Sequence, residues 1–144
     1  MDFFFYGTLL DCDVMALVIG RRLPPAAFVR ARLTGFARRR ARGVSYPVLV
    51  RAPAGRVEGA VVGGLTRRDV ERLAAYEGPR YRIAAVRVMQ AGTARSVSIF
   101  EPLKESFEPV AAGWDLAAWQ GRHKRPFLAR LRRALSALPA YSRR

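Results

Sequence analysis

The sequence predicts an α+β fold in which a mixed sheet, able to curl into a barrel, carries a few short helices and ends in a helical tail. Three observations predict it. Apolar residues recur in short runs or in alternation with polar ones, as where Val29, Ala31 and Leu33 alternate with Arg30, Arg32 and Thr34, the period of half-exposed strands. Helix-start signals are few: Asp13, Thr66 with Asp69, and Asp115. The C-terminal segment then changes to helical spacing, with Phe127, Leu128, Leu131, Leu135 and Leu138 forming one apolar stripe against Arg130, Arg132 and Arg133. At 144 residues and 51% hydrophobic, the chain is expected to form one compact domain over 1–144 with a real core.

Residues 2–6 read as a buried strand. Asp13 is positioned to cap a short helix over Val14–Ile19, stopped by Gly20. Pro24-Pro25 marks a loop, and Phe28–Phe36 a half-exposed strand. The cluster Arg38-Arg39-Arg40-Ala41-Arg42 reads as a solvated loop or strand edge and is the best local candidate for a basic patch. Tyr46–Val50 is a strand entered through proline, and Pro53-Ala54-Gly55 is expected to turn the chain into the strand Val57–Gly64. Thr66 and Asp69 form a capping box for a helix through Val70, Leu73 and Ala74 that must stop by Gly78-Pro79. Tyr81–Met89 and Ala94–Phe100 are strands joined by a turn at Gln90-Ala91-Gly92. Asp115 caps a helix after Trp114, and Pro126 opens a second helix carrying the Leu stripe, which reads as core packing.

The charge balance narrows the function classes. There are 26 Lys+Arg against 11 Asp+Glu, a net charge of +15, and only Lys104 and Lys124 are lysine. Guanidinium forks suit phosphate, yet the arginines spread from Arg21 to Arg144 and the aromatics are not interleaved among them as stacking platforms. Nucleic acid is therefore the weaker of the partner readings, and a compositional origin the stronger. Cys12, the only cysteine, excludes an internal disulfide. His123, the only histidine, lies among cations, and no serine stands in a nucleophile-elbow pattern. There is no P-loop, no G-x-G-x-x-G and no zinc spacing, so the expected chemistry uses no metal, no cofactor and no covalent enzyme intermediate. No apolar run is long enough to span a bilayer and no signal-peptide pattern is present, so a cytoplasmic protein is expected.

Two segments remain as candidates for chemistry. Phe3-Phe4-Phe5-Tyr6-Gly7-Thr8-Leu9-Leu10 is an apolar strand that breaks into glycine and a hydroxyl, leaving N–H groups open for an anion. It reads equally as a plain strand-to-helix turn. In Tyr76-Glu77-Gly78-Pro79-Arg80-Tyr81, one carboxylate stands among aromatics at a helix end. Desolvation there would raise its pKa toward the range of a general acid/base, while an ion pair with Arg80 or Arg82 is the commoner fate of such a glutamate.

Phe5-Tyr6-Gly7-Thr8-Leu9 resembles the Y-G-[ST]-x-L signature of the gamma-glutamylcyclotransferase-like superfamily, and the branch it is most similar to is that of the small avirulence-induced-gene-like proteins. Tyr46-Pro47, Gly59 through Leu65 and Leu73–Tyr81 match in order, so the resemblance covers roughly residues 2–101, with one departure at Ala74, where many relatives carry an aspartate. The resemblance implies a small mixed β-barrel over about 1–108, flanking helices and a helical tail over about 109–144. It also implies cleavage of a γ-glutamyl amide to 5-oxoproline and a free amine, with Glu77 as catalytic acid/base. Tyr6, Gly7, Thr8, Leu9, Tyr46 and Tyr81 are then the substrate-binding residues, and the partner is a small γ-glutamyl molecule. A non-catalytic binding module of the same fold, or a nucleic-acid-associated protein, are the competing readings.

Overall fold

The structure, a computed structural model, describes residues 1–141. Its first strand, β1 (Phe3–Phe5), is only three residues long and wholly buried. Because side chains alternate along a strand, β1 feeds two cores at once. Phe4 joins Leu33, Val61, Val88 and Ile99 in a core built of strand residues. Phe3 and Phe5 face a second core shared with the helices, among Val14, Met15, Leu73, Trp119 and Leu131.

The remaining strands are β2 (Val29–Ala41), β3 (Pro47–Val62), β4 (Tyr81–Gln90), β5 (Thr93–Pro102) and β6 (Pro109–Gly113). They pair in the order β3-β1-β5-β4-β2-β6, and a further β2–β3 ladder closes the first five into a barrel. β1 runs antiparallel to β3 and parallel to β5, while the other ladders are antiparallel. The predicted mixed barrel is thus the observed architecture. Four helices flank it: α1 (Cys12–Ile19), α2 (Arg67–Glu77), α3 (Leu116–Arg122) and α4 (Lys124–Ser136). The Thr66–Asp69 capping box forms as expected and starts α2.

Four expectations need correction. Pro53-Ala54-Gly55 does not reverse the chain: β3 continues through it, and residues 52–55 bulge from the ladder opposite Gly35, between the pairs Thr34–Arg56 and Phe36–Arg51. Of the Arg38–Arg42 cluster, Arg38–Ala41 are neither loop nor edge, because β2 is paired there with β3 on one side and β6 on the other; Arg42 begins the turn that follows. The stretch from 109 is not helical at its start, since β6 intervenes before α3, and α4 begins two residues before Pro126. A proline in the first helical turn is tolerated because the N–H it lacks has no partner there.

The fourth correction is the cap of α1. Asp11, not Asp13, accepts from the N–H groups of Asp13 (2.9 Å) and Val14 (3.0 Å). Both aspartates fit the local signal, and burial decides between them: Asp11 is 1% exposed. Its other oxygen accepts from Gln120 of α3 at 2.8 Å and pairs with Lys124 of α4 at 2.9 Å, so one carboxylate ties the start of α1 to the tail. Burial alone would raise its pKa, but the bonds from Lys124, Gln120 and Val14 bring it below the usual carboxylate value. Removing it, as in Asp11→Ala, is expected to cost about 2 kcal/mol, whereas Asp13→Ala costs less than about 1 kcal/mol because its pairs with Arg22 and Lys124 are solvated. A depressed pKa stabilises above the unfolded-state value and that stability is lost on acidification, so the gap between wild type and Asp11→Ala should narrow below about pH 4 in urea titrations.

Candidate functional site

β1 ends at Phe5, and the chain leaves the sheet through Tyr6 and Gly7 into a single 3₁₀ turn, Thr8–Leu10. The turn uses the N–H groups of Leu10 and Asp11, which donate to the carbonyls of Gly7 and Thr8 at 3.0 Å each. The N–H groups of Gly7, Thr8 and Leu9 take part in no turn, cap or side-chain hydrogen bond among the described residues. The segment is held from several sides. The Tyr6 hydroxyl donates to the Phe100 carbonyl at 2.6 Å, and the Thr8 and Tyr76 hydroxyls share a hydrogen bond of 2.6 Å. Arg38 reaches in from β2, donating to the carbonyls of Tyr6 (2.9 Å), Glu58 (3.0 Å) and Trp114 (3.2 Å), with its guanidinium over the Trp114 ring.

Glu77 is the last residue of α2, and Gly78, at φ 81, closes the helix with its N–H on the Ala74 carbonyl. That positive φ is one a side chain resists, so glycine here lets the chain turn sharply into Pro79 and β4. The glutamate does not take the expected ion pair. Arg82 faces Glu101 at 3.6 Å, and the Arg80 guanidinium stacks 5.4 Å from the centre of the Phe107 ring. Among the described residues no cation lies within ion-pairing distance of Glu77. Burial therefore acts unopposed and pushes its carboxyl from 4.5 up to about 8.

Four tyrosines sense that carboxylate. Burial raises the pKa of Tyr6, Tyr76 and Tyr81, and the charge of Glu77 raises each further. Tyr46 is raised by burial too, against a lowering by Arg80 and with a smaller push from Glu77. All four phenols therefore remain protonated at neutral pH; Tyr6 already donates to Phe100 and Tyr76 is engaged with Thr8, which leaves Tyr46 and Tyr81 as donors.

A single cavity of about 690 Å³ gathers these groups: Tyr6, Gly7, Thr8, Leu9, Tyr46, Glu77 and Tyr81 all line it. Tyr46 is positioned at one remove. The indole N–H groups of Trp114 and Trp119 donate to the carbonyl and hydroxyl of the preceding Ser45 at 2.8 and 3.2 Å. Gly7 is at φ −130, open to any residue, but a side chain there would meet the Pro47 ring at 3.1 Å. Ala74 lies on the exposed side of α2 and does not line the cavity. Neither do Cys12 or His123, the latter standing at the α3–α4 junction.

Sequence reasoning missed several lining residues. Phe107, which meets Tyr46 edge-on at 5.7 Å and Tyr81 at 5.4 Å, carried no local signal. Arg38, which does not line the cavity but holds the Tyr6 carbonyl, was hidden in a run of arginines. The α4 stripe does pack into the helix-side core through Leu131 and Leu135, as expected, but it also walls the cavity with Phe127, Leu131, Leu135 and Leu138.

The chain is similar to several known proteins in sequence and in fold. AIG2-like protein A of Arabidopsis thaliana is 28% identical over 127 residues, which are 87% of this chain and 75% of that protein. AIG2-like protein C of the same plant is 29% identical over 136 residues, 93% of this chain and 77% of the relative. A solution structure of an Arabidopsis thaliana protein superposes with a TM-score of 0.67 at 25% identity, covering 94% of this chain and 81% of the other. A solved structure described as gamma-glutamyl cyclotransferase shares the fold, with a TM-score of 0.56 at 19% identity over 76% of this chain and 69% of that one. Residues 3–119 match the family described as gamma-glutamyl cyclotransferase, AIG2-like, and the chain belongs to that family.

Proposed function

We propose that the protein cleaves γ-glutamyl amides by intramolecular cyclisation, releasing 5-oxoproline and a free amine, with Glu77 as general acid/base. One observation carries this reading: a carboxyl with no ion-pair partner among the described residues lines the same cavity as three open backbone N–H groups. Membership of the family supports it independently.

The reaction needs no nucleophile from the protein. The Gly7, Thr8 and Leu9 N–H groups receive the α-carboxylate of the γ-glutamyl group, a backbone nest suited to an anion. The ionised Glu77 carboxylate takes a proton from the α-ammonium. The freed amine attacks the γ-carbonyl carbon and the lactam C–N bond forms. As the original C–N bond breaks, Glu77 returns that proton to the leaving nitrogen and takes the second proton from the attacking nitrogen, leaving a neutral lactam; the free amine carries this last proton away as ammonium and Glu77 is again ionised. Holding the substrate folded supplies most of the acceleration, since well-oriented intramolecular reactions reach effective molarities of about 10⁵ M or more. The protonated phenols of Tyr46 and Tyr81 are the donors available to charge developing on the γ-oxygen. A carboxyl titrating at about 8 is suited to both proton transfers near neutral pH, and an incoming ammonium favours its ionised form.

Glu77→Gln keeps the shape and loses the base. Release of 5-oxoproline from a panel of γ-glutamyl amides should fall at least about 10²-fold while ligand binding persists. A fully active variant would remove Glu77 from the mechanism; a wild type that binds 5-oxoproline yet turns over nothing would favour a non-catalytic binding module.

A second measurement reads the raised pKa directly. The folded state holds the Glu77 proton more tightly than the unfolded chain does, so stability is greatest below about pH 4.5 and declines as pH rises toward about 8. Glu77→Gln has no such proton to lose. Its melting temperature relative to wild type should therefore rise progressively between those limits, and a constant difference would contradict the raised pKa.

The nest is tested at Gly7. A valine there forces the Pro47 ring away and narrows the approach to the open N–H groups. Affinity for 5-oxoproline, read by calorimetry, should drop by about tenfold or more, the scale of one hydrogen bond to a charged group. Unchanged affinity in a folded Gly7→Val protein would count against the nest.

A further inference from the structure

The cavity is larger than the reacting group requires. At about 690 Å³ it is of the size that encloses a drug-sized ligand, well beyond a γ-glutamyl group alone. Its two walls differ in chemistry. The barrel, α2 and the turn after it present hydroxyls, the carboxyl, the open N–H groups and Arg80, whose guanidinium stacks on the Phe107 ring. The α4 wall presents Phe127, Leu131 and Leu135, with Ala134 beside them and Leu138 just beyond the helix end. Phe127 and Leu138 keep part of their surface uncovered, although they pack against the helix-side core.

One cation interrupts this apolar wall. Of the α4 arginines 125, 130, 132 and 133, only Arg130 lines the cavity. It is three residues after Phe127 and four before Ala134, so all three share one helix face. It is exposed and has no carboxylate partner among the described residues. An apolar wall edged by an unpaired guanidinium recognises a molecule that is apolar along its body and anionic at one end. The α-carboxylate of the γ-glutamyl group has its own donors at Gly7, Thr8 and Leu9, so a second anion must belong to the other half of the substrate.

We propose that α4 seats the amine half of the substrate, and that this half is an amino acid with an apolar side chain. The side chain lies on Phe127, Leu131 and Leu138, and the free carboxylate pairs with Arg130. This rests on the cyclotransferase reading and specifies its substrate as γ-glutamyl dipeptides ending in a large apolar residue. Arg130 is here a specificity-determining residue and takes no part in proton transfer.

Two substrates isolate the pairing: γ-glutamyl-phenylalanine, and γ-glutamyl-phenethylamine, which keeps the ring and lacks the carboxylate. Arg130→Gln should raise KM for the first at least about fivefold and leave the second within about twofold, with kcat of both unchanged. Ala134→Trp fills the apolar wall; it should depress kcat/KM for both and spare γ-glutamyl-methylamide. Equal KM changes on the two aromatic substrates, or none, would overturn the assignment of Arg130. Undiminished turnover of the bulky amides by Ala134→Trp would overturn the α4 seat. If the wild type turns over none of these amides, the same pairs are compared by calorimetric binding. An Arg130-dependent preference for the dipeptide then upholds the seat while the cyclotransferase reading falls; no preference removes the seat as well.

Discussion

The close approach of β1 to β3 at Gly59 is the constraint on which the rest of this structure depends. A first side-chain carbon at Gly59 would lie 2.3 Å from the Phe5 carbonyl oxygen and 2.6 Å from the Phe4 ring, the first a backbone atom that cannot step aside. Only glycine allows the three phenylalanines of β1 to wedge between β3 and β5, filling the strand core with Phe4 and the helix-side core with Phe3 and Phe5. The β1–β3 ladder ends at Phe5, opposite Ala60, and the chain leaves the sheet through Tyr6 and Gly7. Gly7, Thr8 and Leu9 then line the cavity, with N–H groups that take part in no turn, cap or side-chain hydrogen bond among the described residues. The barrel closure and this edge of the cavity both follow from one tight contact.

Where the signal was local, the sequence could be read directly. The strands β1, β4 and β5 and the capping box of α2 each follow from residues within one element. So do the two halves of the candidate site, because Tyr6–Leu9 is a strand end and Tyr76–Tyr81 a helix end, both marked by glycine. What escaped depends on partners distant in sequence. Pro53-Ala54-Gly55 has the composition of a turn, but pairing with β2 on both sides of it keeps the strand direction, and the extra residues become a bulge in β3. β6 is a weak strand by composition that forms because β2 offers it a free edge. Asp11 and Asp13 are equivalent caps until burial and Gln120, more than a hundred residues away, select the first; Lys124 pairs with both.

The arginine surplus is put to several uses and makes no single patch. Arg38 is a strut whose cost of burial, visible in its lowered pKa, is offset by three carbonyls and an indole face. Arg51, Arg72 and Arg80 stack on Phe36, Tyr141 and Phe107. Arg21, Arg22, Arg32 and Arg42 pair with carboxylates across elements. This leaves Glu77 in an unusual position: in a chain of net charge +15, no cation among the described residues lies within ion-pairing distance of its carboxyl. A neighbouring guanidinium would hold it ionised and weaken it as a base. Keeping arginines stacked or engaged elsewhere is what allows burial to set its pKa.

The division of labour within the cavity follows from the same architecture. Tyr6–Leu9 and Glu77 are fixed by the barrel and by the rigid end of α2, so the groups that would handle protons and the common γ-glutamyl portion sit on elements tied into both cores. The opposite wall is carried by α4, which begins at Lys124, beyond the last residue matching the family, and is tied to the start of α1 by the Lys124–Asp11 pair. Leu131 and Leu135 serve that wall and the helix-side core at once, whereas Arg130 and Ala134 reach the cavity from exposed positions. A substitution at either exposed position would therefore be felt by a ligand before it is felt by the fold.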